Sequence, residues 1–386
     1  MGKQYIGTAS ADGAHGLDIL EVSITDKYTI SISSDGYIKF WDNAKYEVEE
    51  PNTIAIEYLI NDAGLHHIAA YENILPDSQT KVVLLAVVAF DGSVVFKYYL
   101  NDDLSSMKDF ETPNELRSSC WCPGFYKDPE SKEDFFFITQ ANASTPVYTL
   151  KLTNDGNDIS ISLDLRGKLD IHASNSFPNS LAITSLLGKK AAVGYSNGDV
   201  SLFDFTNLKQ IYTFHSTDLQ VSNKSKSFNS IPRVLEFSPG GSILAVARDN
   251  QSSGSITLYD VKYGENIGSL TTSTHSTKAS IGGFAHDGWI MGLSFNEDGT
   301  LLASCGFDNC IRIWNMETRE REATITLSTK DLENDGGAEE MDASVVSDVR
   351  FIKRRIRNIS RGDNNEGLCA VSFDRGIRWF REAGGI

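Results

Sequence analysis

His286, Ser304, Asp308 and Trp314 are the residues of this chain whose types and spacing could do chemistry. They fall within one stretch, HDGWIMGLSFNEDGTLLASCGFDNCIRIWN, that begins at His286 and ends at Asn315. An imidazole paired with a carboxylate is the equipment of general acid–base catalysis. The same groups also form a buried hydrogen-bonded chain, in which the indole N–H and the imidazole take partners from the hydroxyl and the carboxylate. The completeness of the set favours the structural reading. A second copy, His15, Ser31, Asp35 and Trp41, holds the same relative places near the amino terminus. Other chemistry is absent. No Walker-type phosphate loop, no His-Glu-x-x-His and no Gly-x-Ser-x-Gly beside a plausible base occurs in the chain. Cys120 and Cys122 have no second thiol pair to complete a metal site, and the adjacent His66 and His67 are expected on opposite faces of a strand. No metal, cofactor or enzymatic activity is expected.

Three strands are needed to position the four groups: Ile290 to Phe295, Leu301 to Ser304 and Ile311 to Trp314, with a polar turn from Asn296 to Thr300. A sheet this small has apolar side chains on both faces and must stack against copies of itself. The copies are present. The aromatic site of Trp314 recurs as Trp41, Tyr148, Phe203, Tyr259 and Phe380, and as Lys97 in one unit; the turn position of Asp308 recurs as Asp35, Asp91, Asn142, Asn197 and Asp374. In the fifth unit the turn is expected to be enlarged, from Asp249 to Gly254. The unit resembles that of WD-repeat propellers, in which the four polar positions form a buried chain. The spacing between aromatic sites exceeds the about 40 to 45 residues of a minimal WD repeat, so insertions must occupy the connecting loops. The expected fold is all-β: a seven-bladed WD-repeat β-propeller spanning 1–386. One strand, Gln4 to Ala9, precedes the first unit and the last unit stops after its third strand, so the amino-terminal strand should close the ring.

At 386 residues the chain is long for one core, but blades add radially without enlarging any single core. A net charge of −17 repels a phosphate backbone, so no direct nucleic-acid contact is expected. Five cysteines, mostly within strand patterns, suit a reduced intracellular setting without disulfides. The start lacks a signal-peptide core, Ile6 stands where a myristoylation signal needs Ser or Thr, and no run of about 20 apolar residues occurs; a soluble protein off the membrane is expected. Residues 328–344 are acidic and read as a mobile loop between blades six and seven, and residues 216–230 as a second loop. The basic run Lys353 to Arg357 reads as a solvated turn, with nuclear import or phosphate contact as the alternative.

Aromatic residues stand where polar ones would serve. Phe90, Phe307 and Phe373 precede the turn Asp in three units, Trp289 follows the structural His by three, and Trp121 lies near the start of a first strand. All five are expected on the face that carries the turns between second and third strands, the profile of a protein-binding surface. Asp18 holds in the first unit the position of Trp289 and could receive a basic side chain.

Two stretches carry a narrower resemblance: GSLTTSTHSTKASIGGFAHDGWIMGLSFNEDGTLLASCGFD and the terminus SFDRGIRWFREAGGI, supported by SSDGYIKFWDN and GLHH. The chain resembles the WD-repeat subunit of the fungal superkiller complex, loosest over residues 113–210. That resemblance implies a cytoplasmic scaffold, holding a tetratricopeptide subunit and an RNA helicase for exosome decay of messenger RNA from the 3′ end. It also implies a role in the nucleus, in meiotic double-strand-break formation alongside the break-forming protein. It further implies that a partner segment with a Gln-Arg pair and an apolar residue docks on Phe90, Trp121, Phe307 and Phe373, with Asp18 facing the Arg. The competing reading is a substrate-recognition propeller of another assembly, such as a ubiquitin-ligase adaptor.

Overall fold

The computed structural model describes residues 4–44, 54, 56–128, 133–154, 159–169, 176–184, 188–216, 230–250, 253–272, 284–328, 344–354, 356 and 366–383. The unit read from the sequence forms β22 (Ile290–Phe295), β23 (Leu301–Gly306) and β24 (Cys310–Asn315), paired antiparallel in that order. A fourth strand, β25 (Arg321–Thr326), lies outside them. The sequence reading had no fourth strand, for a physical reason. The outermost strand covers no neighbouring blade with both faces, so its REATIT sequence carries mixed exposure and no apolar run. The central β23, sandwiched between two neighbours, is buried at every position.

Among the described residues there are seven such four-stranded sheets. Their first strands are β2 (Ile19–Ile24), β6 (Leu65–Ile74), β10 (Cys120–Tyr126), β14 (Pro178–Ile183), β18 (Pro232–Phe237), β22 and β26 (Val346–Ile352). In the last sheet the order is β1 (Gln4–Ala11), β28 (Ile377–Ala383), β27 (Gly367–Ser372), β26. Gln4 pairs with Ala383 and Ala11 with Ile377, so the amino-terminal strand completes the carboxyl-terminal blade as its outer strand. Among the described residues this closure gives the last blade its fourth strand, as in the other six.

Between blades the core is apolar. Trp314 packs against Ala245, Ile256 and Leu258 of the preceding blade, and Trp41 meets Trp379 with ring centroids 6.0 Å apart. Tyr259 stacks on Phe214 at 4.0 Å, while Tyr148 and Phe203 are buried at the same site. Lys97 stands there in blade two and is accommodated by charge. Its Nζ is 2.5 Å from Asp109 and 5.9 Å from the centre of the Tyr58 ring in blade one.

The expected enlargement from Asp249 to Gly254 is not a loop. Asp249 pairs with Gly254 and Asn250 with Ser253, so the ladder of β19 (Ile243–Asn250) and β20 (Ser253–Asp260) is extended instead. Residues 329–343 and 217–229, most of the two expected loops, lie outside the described residues, as do Arg355 and Arg357 of the basic run. Arg354 of that run is 3.4 Å from Asp298 and 3.8 Å from Glu366. Among the described residues no helix is long and apolar enough to cross a membrane.

Candidate functional site

The two His/Ser/Asp/Trp sets close into the same circuit. In blade six His286 Nδ1 is 2.8 Å from Asp308 Oδ1, His286 Nε2 is 2.7 Å from Ser304 Oγ, and Trp314 Nε1 donates to that oxygen at 2.8 Å. In blade one the corresponding distances are 3.1, 2.8 and 3.0 Å, for His15, Asp35, Ser31 and Trp41. An indole N–H only donates, so the serine oxygen accepts from Trp and its own proton is free for imidazole Nε2; Nδ1–H then faces the carboxylate. Burial lowers the pKa of both imidazoles against the pull of their aspartates. Burial alone would raise the carboxyls. The hydrogen bond from His15 nevertheless brings Asp35 to about 2, and His286 with Arg312 holds Asp308 far below the usual range. Ser31 and Ser304 are fully buried.

Sequence reading missed the arginines of this layer. Arg312 Nη1 lies 2.5 Å from Asp308 Oδ2, and in blade seven Arg378 Nη2 lies 2.6 Å from Asp374 with Nη1 on Ser372 Oγ at 2.8 Å. The signal was in the repeated Phe-Asp-x-x-Ile-Arg of FDNCIR and FDRGIR.

The proposed face is built by bulges. Every first strand slips register against its second strand near its start, as at Ile19/Glu21, Leu65/His67, Cys120/Pro123 and Pro232/Val234. A bulge leaves one residue without a ladder partner and re-aims its side chain. The residues so released are Leu20, His66, Trp121, Asn179, Arg233, Met291 and Ser347, and all of them line the mouth of the central channel. One correction follows. His66 and His67 do not point to opposite faces, because the bulge breaks the alternation: both line the channel, with their Nδ1 atoms 2.5 Å apart.

The expected docking residues separate into two groups. Phe90, 51% exposed, lies 5.0 Å from the His66 ring, which lies 4.3 Å from Trp121; Trp121 in turn meets Phe177 at 5.3 Å and donates its indole N–H to Asn179 O at 3.2 Å. Across blades six and seven, Trp289 meets Phe307 at 5.4 Å and Phe307 meets Phe373 at 6.0 Å. Trp289 and Phe307 are 38% and 40% exposed; Phe373 is half-buried. Phe177 was missed, although it precedes its first strand as Trp289 does. Ser196 N–H donates to Phe177 O at 2.9 Å, as Phe307 N–H does to Trp289 O at 3.0 Å. Gly306 permits that rung, since a Cβ there would stand 2.1 Å from Trp289 O. Asp18 is exposed in the equivalent place, its carbonyl accepting from Ser34 N–H at 3.0 Å. Partial burial raises its carboxyl, against the charge of Arg375 across the blade joint.

Below the mouth the channel encloses about 550 Å³ and is charged. Arg350 forks between Asp348, at 3.1 Å, and Glu21, at 3.2 Å. Burial pushes Glu236 up to about 7 against the pull of Arg350, and lowers His67 to about 4 and His66 to about 3, helped by Arg350 and His67 respectively. Among the described residues no group of three or more His, Cys, Asp or Glu could hold a metal ion.

Residues 278–315 match the family described as WD domain, G-beta repeat. The chain is 34% identical to the antiviral protein SKI8 of Saccharomyces cerevisiae, in an alignment that covers 100% of both. It is 25% identical to the meiotic recombination protein rec14 of Schizosaccharomyces pombe, over 69% of this chain and 74% of that one. Likeness to WD repeat-containing protein 1 of Xenopus tropicalis, 28% identical, covers 38% of this chain and 24% of the relative.

Proposed function

The chain belongs to the SKI8 family of WD-repeat propellers, and from that premise we propose that it is a non-catalytic interaction scaffold whose docking face is the channel mouth. Its place is that of the WD-repeat subunit of the superkiller complex, which supports exosome-mediated 3′ to 5′ decay of messenger RNA. Likeness to rec14 supports a second role in meiotic recombination. The finer assignments are part of the proposal: a tetratricopeptide subunit and an RNA helicase as cytoplasmic partners, and the break-forming protein as a nuclear partner in meiosis. The buried His/Ser/Asp/Trp circuits belong to the fold in this reading, since indole and imidazole already occupy each serine oxygen.

The observation that carries the proposal is that exposed Phe90 lines the channel, and that Arg233 of the same lining covers Trp289, which continues into Phe307, both of them exposed as well. Exposed aromatics clustered at a rim are the usual anchors of a protein interface. Calorimetric titration of a tetratricopeptide-subunit fragment tests it. Phe90→Ala and Phe307→Ala should each weaken binding by roughly 2 kcal/mol with an unchanged melt. Trp121→Ala should weaken it similarly but also lower the melting temperature, because Trp121 is packed on His66 and bonded to Asn179. Asp18→Lys should weaken binding less at high salt than at low salt. Wild-type affinity in all four variants would remove this face.

A further inference from the structure

Arg233, the bulged residue of β18, links two blades through one guanidinium. Nε and Nη2 fork onto the Asp249 carboxylate at 2.9 and 2.6 Å, and the guanidinium carbon lies 4.8 Å from the centre of the Trp289 ring in the next blade. Asp249 is held in turn: it is 8% exposed, and its backbone N–H donates to Ile231 O at 3.0 Å. The line of contacts runs from Asp249 through Arg233 to Trp289, Phe307 and Phe373, crossing blades five, six and seven.

An ordinary surface ion pair would need only charge, and a lysine would serve as well. This one uses what arginine alone supplies, a flat fork that grips a carboxylate edge-on while its face covers an aromatic ring. Trp289 stands at the start of a strand with 38% of its surface exposed, where an indole ordinarily samples several rotamers. Ordering it at the moment of binding would cost affinity. We infer that Arg233 is the positioning residue of the docking face: anchored on Asp249, it holds the Trp289 indole in place before a partner arrives. This inference rests on the docking reading above.

Arg233→Lys keeps a cation for Asp249 and removes the plate over Trp289. In the free full-length protein, acrylamide quenching of tryptophan fluorescence should rise in Arg233→Lys and show no such rise when Trp289→Phe is added. Affinity for the tetratricopeptide-subunit fragment should fall about tenfold, with the melting temperature unchanged. Because Arg233 acts through Trp289, its substitution should cost nothing further on a Trp289→Ala background. Asp249→Asn, which keeps the plate and loosens its anchor, should move quenching and affinity in the same direction by less, and it decides the matter should the lysine variant melt early. Wild-type quenching in both variants, or losses that add with Trp289→Ala, would overturn the assignment. Failure of the wild-type protein to bind the fragment would sink the docking reading alone, since quenching in the free protein still decides whether Arg233 fixes the indole.

Discussion

Ser304 shows how one buried oxygen can settle the fate of four side chains. It accepts the Trp314 indole N–H and donates its own hydroxyl to His286 Nε2, which leaves Asp308 to accept the imidazole Nδ1–H and to balance the Arg312 charge. Asp308→Ala should therefore strand both His286 and Arg312, at a cost of about 1 to 3 kcal/mol for the hydrogen-bonded layer and more where Arg312 is left without a counter-charge. Urea unfolding at neutral pH measures the loss; an unchanged midpoint would mean that the circuit contributes nothing. The circuit was legible because Ser, Asp and Trp recur at the same spacing in two units, each with one of the chain's seven histidines upstream. The arginines were not, because a lone Arg beside a turn reads as a solvated charge, and only the folded strand brings Arg312 and Arg378 back over the turn carboxylate.

At the scale of elements, legibility followed burial. Inner strands such as β23 are apolar throughout and announce themselves, whereas β25 alternates weakly and was passed over. The register slips at the head of each first strand left no trace in composition, because a bulge inserts one residue without changing the apolar character of the strand around it. Of the expected docking residues Phe90 and Trp121 line the channel, whereas the turning of His66 and His67 into it was not foreseen. The closing strand was legible from arithmetic alone, one strand too many at the start and one too few at the end. Its removal is the test at this scale. A chain beginning at Ala11 should leave β28 as a bare edge and lower the melting temperature, with self-association at raised concentration. An unchanged melt and a monomeric sedimentation profile would refute the closure.

In the whole molecule, the ring of first strands gathers charges from distant parts of the chain into one channel, and stability should respond to pH there. Glu236 sits near 7 instead of the ordinary carboxyl range, so the folded protein binds a proton that the unfolded chain has released between about pH 4.5 and 7. Its contribution is thus favourable at low pH and is lost as pH rises through 7. Glu236→Gln should raise the melting temperature at pH 8 and leave it close to wild type near pH 4.5; an equal gain at both would exclude titration as the cause. His66 and His67 act in the opposite sense, because their depressed values make the unfolded chain the better proton acceptor below about pH 6.5. Closure by β1 and β28 also imposes an order in time. The residues that begin the final blade are made first and those that receive them last, so at about 5 to 20 residues per second the amino-terminal strand waits roughly 20 to 80 s on the ribosome for its partner. Blades one to six are completed in turn during that interval and the seventh only at its end, so whatever shields the waiting strand during synthesis bears on how much of this protein becomes a ring.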